Sequence, residues 1–278
     1  VARQLLRALV ATSIAGITLL GAATLAPAGT ANYPSSIVVI GHSGATGYDS
    51  DPLRSRWSHN SWVTGDNPAV RSLYLRILGH NPAIKGNNVN LAINGSKVAS
   101  LLQQARKAAG LKPAPELVVV QSIDNDIACD GSDPQRYKPF GAAFSRAIGI
   151  VAERLPNAHI FVVSQFGSPD TNARALTTAQ RKRVGGGAGP CDFLDAMGAV
   201  IPKRLAYLET VIHTYESTVA TACEAFPTCR YDGGAFGRVV DRPEYISPDL
   251  SHFSVRGHAK AAAVAWSALQ QVGYIPRN

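Results

Sequence analysis

The chain has 278 residues, 46% of them hydrophobic and 17% charged, with 25 Gly, 17 Pro and four Cys. So little charge beside so much apolar content excludes intrinsic disorder. The sequence has no Gly-X-Y period and no sustained heptad, which excludes collagen and coiled coil, and four cysteines in this length do not make a disulfide-stapled miniature scaffold. The net charge of +8 is scattered; its densest group, Arg181-Lys182-Arg183, reads as a solvated helix end, and no nucleic acid is expected as a partner.

Residues 1–31 read as an address. Arg3 and Arg7 start it, Leu9 to Leu25 is an apolar run without a charge, and Ala26-Pro27-Ala28 and Gly29-Thr30-Ala31 offer small-residue cleavage sites. This is the layout of a secretory signal peptide. An uncleaved membrane anchor is the competing reading, but the run is short for a span and diluted by Gly and Ala. No Cys follows the run, against a lipid-modified start, and no second stretch approaches 18 apolar residues. Residues 32–278 are therefore expected to be one secreted, monomeric domain without a membrane span. Export favours disulfides. Cys223 and Cys229 flank Pro227 and suit a local closure, which leaves Cys129 with Cys191. Zinc is disfavoured because there is no C-x-x-C and no nearby His pair.

The domain opens with Ile37-Val38-Val39-Ile40, a β-branched run typical of a strand buried on both faces. A helix is expected over 68–79, with Pro68 in its first turn and Gly79 at its end. A second strand follows at 89–93. A helix over 96–109 carries Val98, Leu101, Leu102 and Ala105 on one face, and a third strand runs over 117–122. Phe140, Phe144, Ile148, Val151 and Leu155 mark a helix over 140–155, before a fourth strand at 160–163. The alternation then loosens into a Gly-rich segment with one helix around 173–183. A long helical region over 194–222, bent near Pro202, a short strand at 238–240 and a closing helix over 255–271 complete the chain. Strands alternating with helices predict one three-layer α/β domain, a parallel sheet covered on both faces.

In such a sheet, ligands bind at the loops after the strand C-termini. Those loops carry Gly41-His42-Ser43-Gly44, Asn94-Gly95-Ser96 and Asp124-Asn125-Asp126, and Asp249-Leu250-Ser251-His252 precedes the last helix. Singly, each is an ordinary turn or helix cap. Together they supply a nucleophile, Ser43, a base, His252, and an acid, Asp249, to hold that base's tautomer. The Ser43 N–H, the Gly95 N–H and the Asn125 side-chain amide would be donors for an oxyanion.

On these residues the chain resembles the SGNH hydrolases, the GDSL-type esterases and lipases. Their serine after strand one, oxyanion Gly and Asn, and C-terminal D-x-x-H pair fall on Ser43, Gly95, Asn125 with Asp126, and Asp249 with His252. The resemblance spans residues 37–262. It implies a flavodoxin-like sheet and hydrolysis of carboxylic esters without a cofactor. Two positions depart from the family pattern. His42 stands where the family has Asp, and Ile123 where it has Gly; Ile resists positive φ, so the backbone under Asn125 is expected to be built differently or to need no such freedom. His42 also brings Gly41-His42-Ser43-Gly44-Ala45 within one residue of the α/β-hydrolase elbow, but a serine after the first strand, and an acid three residues before the His, fit that fold poorly. His42 is the competitor for the base, and is expected to point away from Ser43.

The acidic loop of Asp124, Asp126, Asp130 and Asp133 lacks a calcium-loop pattern, since Ala128 stands at a ligand position, and no metal is expected. Trp57 and Trp62 either line an acyl or sugar pocket, fill the core or anchor their loop. Lipid, acylated glycan and small ester stay open as substrates, and a catalytically dead glycan- or lipid-binding protein is the rival from another class.

Overall fold

The computed structural model describes residues 32–51 and 57–277, so the signal reading of 1–31 lies outside the described residues. Five strands, β1 (Ile37–Gly41), β2 (Asn88–Asn90), β3 (Leu117–Gln121), β4 (His159–Val163) and β5 (Cys229–Tyr231), form one sheet in the order β2-β1-β3-β4-β5. Every pairing is parallel. Eight α-helices cover it: α1 (Ser43–Thr46), α2 (Leu73–Leu78), α3 (Val98–Ala109), α4 (Asp133–Arg154), α5 (Pro169–Ala175), α6 (Thr178–Val184), α7 (Pro202–Glu224) and α8 (Val255–Gln271).

Period-two alternation sends side chains of each strand to opposite faces. Val38, Ile40, Val118, Val120, Ile160 and Val162 pack with α3, α4 and α7 around Phe144 and Tyr215. Ile37, Val39, Leu117, Val119, Phe161 and Val163 pack with α2 and α8 around Trp62 and Phe236. This is the expected three-layer α/β architecture, with the flavodoxin-like strand order. Its switch point lies between β1 and β3, so the loops after those two strands frame a crevice. Among the described residues no helix is long and apolar enough to cross a membrane.

Several elements differ from the sequence reading. The helix expected over 68–79 starts only at Leu73, because Arg71 is left-handed (φ 49°) and Ser72 caps the helix by accepting from the Leu75 N–H. Strand two ends at Asn90. Helix α4 begins two turns before Phe140 and runs through Pro139, whose missing N–H forfeits one bond without ending it. The helix expected around 173–183 is two, separated where Thr177 opens a capping box with Gln180. Arg181, expected to be solvated, donates to the carbonyls of Ala173, Leu176 and Gly198 and ties these pieces together. Pro202 starts α7 rather than bending it, and Leu194 bridges Val200 before it. No strand forms at 238–240. The fifth strand is Cys229–Tyr231, a short edge strand with an outward Arg230, too polar for its pattern to show. The segment at Ser43, read as a loop, is a one-turn helix.

Both expected disulfides are formed, Cys129–Cys191 with Cα atoms 5.2 Å apart and Cys223–Cys229 at 5.3 Å. The first links residues 62 apart in sequence and the second only 6. Chain entropy makes the longer closure the stronger restraint. Replacing Cys129 and Cys191 together by Ser should lower the unfolding free energy by about 2–4 kcal/mol, more than removing the local pair; equilibrium urea unfolding of the two double variants checks the order.

Candidate active site

The site begins at the end of β1. Gly41 has φ 144°, and a Cβ there would lie 2.0 Å from the Gln121 carbonyl oxygen, so only glycine lets β1 and β3 stay paired at this point. The buried Gln104 of α3 clamps the same residue: its Oε1 accepts from the Gly41 N–H at 2.6 Å and its Nε2 donates to the Gly41 carbonyl at 3.1 Å. The Ser96 hydroxyl donates to that carbonyl as well, at 2.8 Å. His42 then caps α1, its Nδ1 accepting from the Gly44 N–H at 3.1 Å. Ser43 follows as the first residue of the helix.

His252 Nε2 lies 2.9 Å from Ser43 Oγ, and His252 Nδ1 lies 2.5 Å from Asp249 Oδ2. The other Asp249 oxygen accepts from the backbone N–H groups of Ser251 and His252 at 2.9 and 3.0 Å, so the acid closes the turn that presents the imidazole. Burial works to raise the Asp249 carboxyl, but the His252 ring and these two N–H groups outweigh it and hold it below the ordinary carboxylate range. Asp49 stands beside Asp249, and burial together with that neighbouring anion raises its carboxyl. Tyr48 packs edge-on to the His252 ring at 4.9 Å and is itself backed by Trp57 at 4.7 Å.

Asn125 donates to the Ser96 carbonyl at 3.0 Å, which uses one of its two amide hydrogens and leaves the other for the cleft. Its neighbour Asp126 accepts from the Val98 N–H at 2.9 Å, capping α3. The loops after β2 and β3 are thereby bound to each other. Gly95 (φ 70°) turns the first of them, and among the described residues neither its N–H nor that of Ser43 donates to an internal acceptor. Ser43, Gly95, Asn125 and His252 line one cleft of about 600 Å³.

One expectation from the sequence needs correction. Ile123 does take the positive-φ conformation (φ 103°, ψ −63°), with its side chain completely buried in the α3–α4–α7 core. The backbone under Asn125 is thus built as a glycine would build it, and the strain is held by packing. Of the roles open to the tryptophans, the structure shows packing rather than cleft lining: Trp62 fills the core, donating from Nε1 to the Gly44 carbonyl and to Gln121 Oε1, both at 3.1 Å, and Trp57 supports Tyr48. His42 points away from Ser43 into the protein, its Nε2 4.0 Å from Asp124 Oδ2; burial lowers its pKa, opposed by the Asp124 charge. In the acidic loop, Asp133 accepts from the Ala128 and Cys129 N–H groups and Asp130 from Ser132, and among the described residues no cluster has the makings of a metal site.

The sequence reading missed Gln104, Gln121 and the structural part of Asp126. A signal for Gln104 was present: it stands three residues after Leu101, on the apolar face of its helix, and a glutamine facing the core must have a partner there.

No protein-family model and no curated protein sequence matches the chain. Solved structures do. TesA superposes with a TM-score of 0.53 at 12% identity, over 85% of this chain and 99% of TesA. The salicylyl-acyltransferase SsfX3 from a tetracycline biosynthetic pathway gives 0.53 at 16%, over 90% of this chain and 58% of that one. The lipase Lip_vut3 from a goat rumen metagenome gives 0.50 at 12%, over 87% and 98%. The chain shares the three-layer α/β fold of these structures, the fold that the resemblance to the SGNH hydrolases implied.

Two outcomes follow from this geometry. His42→Asn keeps an acceptor for the Gly44 N–H and should unfold close to the wild type, whereas His42→Leu strips a helix cap worth about 0.5–2 kcal/mol and should lose about that much; equilibrium urea unfolding of both variants decides it. Burial raises the Asp126 carboxyl to about 6, above its unfolded value of 3.8. The folded state therefore binds the extra proton between those values, and the stabilisation that gives is present at pH 4 and lost as pH rises through 6. Asp126→Asn, which cannot ionise, should gain on the wild type between pH 4 and pH 7 in urea unfolding.

Proposed function

We propose that the protein is a secreted ester hydrolase in which Ser43, His252 and Asp249 act as nucleophile, base and orienting acid. The observation that carries this reading is the unbroken chain of contacts from Ser43 Oγ through the His252 ring to Asp249, at 2.9 and 2.5 Å. His252 takes the Ser43 proton as Oγ bonds to the ester carbonyl carbon. The charge on the carbonyl oxygen is met by the Ser43 and Gly95 N–H groups and the Asn125 amide. Collapse breaks the bond to the alkoxy oxygen, which leaves as the alcohol with the proton from His252. Water, deprotonated by the same ring, then attacks the acyl-serine and frees the carboxylic acid and Ser43. No cofactor enters these steps.

Two disulfides support export, since such bonds persist in oxidising compartments. An α/β-hydrolase reading has lost its basis, because the serine follows the first strand of a sheet in flavodoxin-like order. The rival of a dead binding protein is tested with a serine-reactive phosphonate: covalent mass gain on Ser43 supports the hydrolase, and its absence supports the binder.

Ser43→Ala should reduce ester turnover by roughly 10⁴-fold or more with the fold intact, and His252→Ala should nearly match it. Asp249→Ala should retain at least about 10-fold more, because it orients rather than transfers the proton. The Ser43/His252 double variant should be little worse than either single one. Steady-state rates on a chromogenic acetate ester, with circular dichroism to confirm folding, check all four. A folded Ser43→Ala keeping a tenth of the activity overturns the assignment.

A further inference from the structure

The cleft at Ser43 has a chemistry that runs against the rest of the chain. The protein carries a net charge of +8, yet no Lys or Arg is among the described residues lining the cleft, and His252 is its one basic side chain. Two carboxylates, Asp124 and Asp241, line it instead. Neither is paired with a Lys or Arg among the described residues. Asp124 Oδ1 accepts from the Gln165 amide at 2.5 Å, and Asp241 Oδ2 accepts from the Thr171 hydroxyl at 2.7 Å. These donors fix the acids in place and bring no counter-charge of their own. Asp241 is half-buried beside the cleft, and burial raises its carboxyl.

A carboxylate held in this way offers acceptor lone pairs to hydroxyl groups and repels carboxylate or phosphate. Asn172 adds a neutral amide to the same wall. Phe166 and Phe253 meet edge to face at 4.6 Å and, with Ile246 and Leu250, give the cleft a local apolar surface. That surface suits the face of a ring or a short acyl group, whereas a long acyl chain needs a continuous apolar groove to repay its transfer from water.

Resting on the ester-hydrolase reading, we propose that the natural substrate is a short-chain acyl ester of an uncharged, polyhydroxylated alcohol such as a neutral sugar, and that Asp241 is a specificity-determining residue that binds its hydroxyl groups. Specificity then comes partly from repulsion, with the acidic wall rejecting anionic alcohols of the same shape.

The test compares kcat/KM of the wild type on an O-acetylated methyl glucoside, the matching O-acetylated methyl glucuronide, p-nitrophenyl acetate and p-nitrophenyl palmitate. The glucoside should exceed the glucuronide by about 10-fold or more, and acetate should exceed palmitate. Asp241→Asn, which keeps the shape and removes the charge, should narrow the glucoside-to-glucuronide ratio by at least about 3-fold, with the change carried in KM. Equal turnover of glucoside and glucuronide by the wild type, a preference for palmitate, or a folded Asp241→Asn with an unchanged ratio overturns this proposal while leaving the hydrolase reading intact. No turnover of any ester, with no phosphonate on Ser43, overturns both.

Discussion

The end of β1 is the constraint on which the site depends. A parallel sheet stops its strands without hairpins, so the last backbone groups of a central strand must find partners elsewhere. At Gly41 those partners are the two ends of the Gln104 amide, the Ser96 hydroxyl and the Ile93 N–H, while the missing Cβ lets the Gln121 backbone come close. Ser43 is two residues further on, so its position is inherited from this clamp. Trp62 and Gln121 extend the same bracing to Gly44 from the opposite layer. A displacement of about an ångström at a reacting atom can cost on the order of 100-fold in rate, which makes such buried polar bracing as consequential as the reacting groups themselves.

The second support lies under Asn125. Ile123 holds a backbone conformation that disfavours a β-branched residue, at a cost of order 1–3 kcal/mol. Its side chain is completely buried, which contributes roughly 1.5–3 kcal/mol. The two effects are of similar size, so the site tolerates Ile where glycine is the easy choice. The result is a loop whose geometry is set by core packing and then tied to the loop after β2 through Asn125–Ser96 and Asp126–Val98.

Charge is distributed on the same economy. Among the described residues no lysine or arginine lines the cleft, and Asp124 and Asp241 are braced there by neutral donors, the Gln165 amide and the Thr171 hydroxyl. Burial disfavours the charged form of His42, next to Ser43, and the ring spends its Nδ1 lone pair on the Gly44 N–H. His252 is left as the ring that reaches the serine.

The layered α/β architecture, four of the strands and the four loops that meet at one cleft were legible in the sequence, because buried parallel strands write themselves as short β-branched runs and the loops after them gather at one edge of the sheet. The sequence also determined the cysteine pairs, since spacing left one local closure and one remainder. Element ends were less legible where short-range chemistry decided them, as at Arg71-Ser72 before α2 and Thr177 before α6. What the folded layers alone reveal is that Cys229–Tyr231 is the fifth strand, that Ile123 accepts positive φ, and that Gln104, Gln121 and Trp62, far apart in the chain, brace the backbone on either side of Ser43. The reason is that a local pattern records which way a residue faces, whereas strain and buried polar partnerships depend on groups tens of residues away that meet only when the layers close.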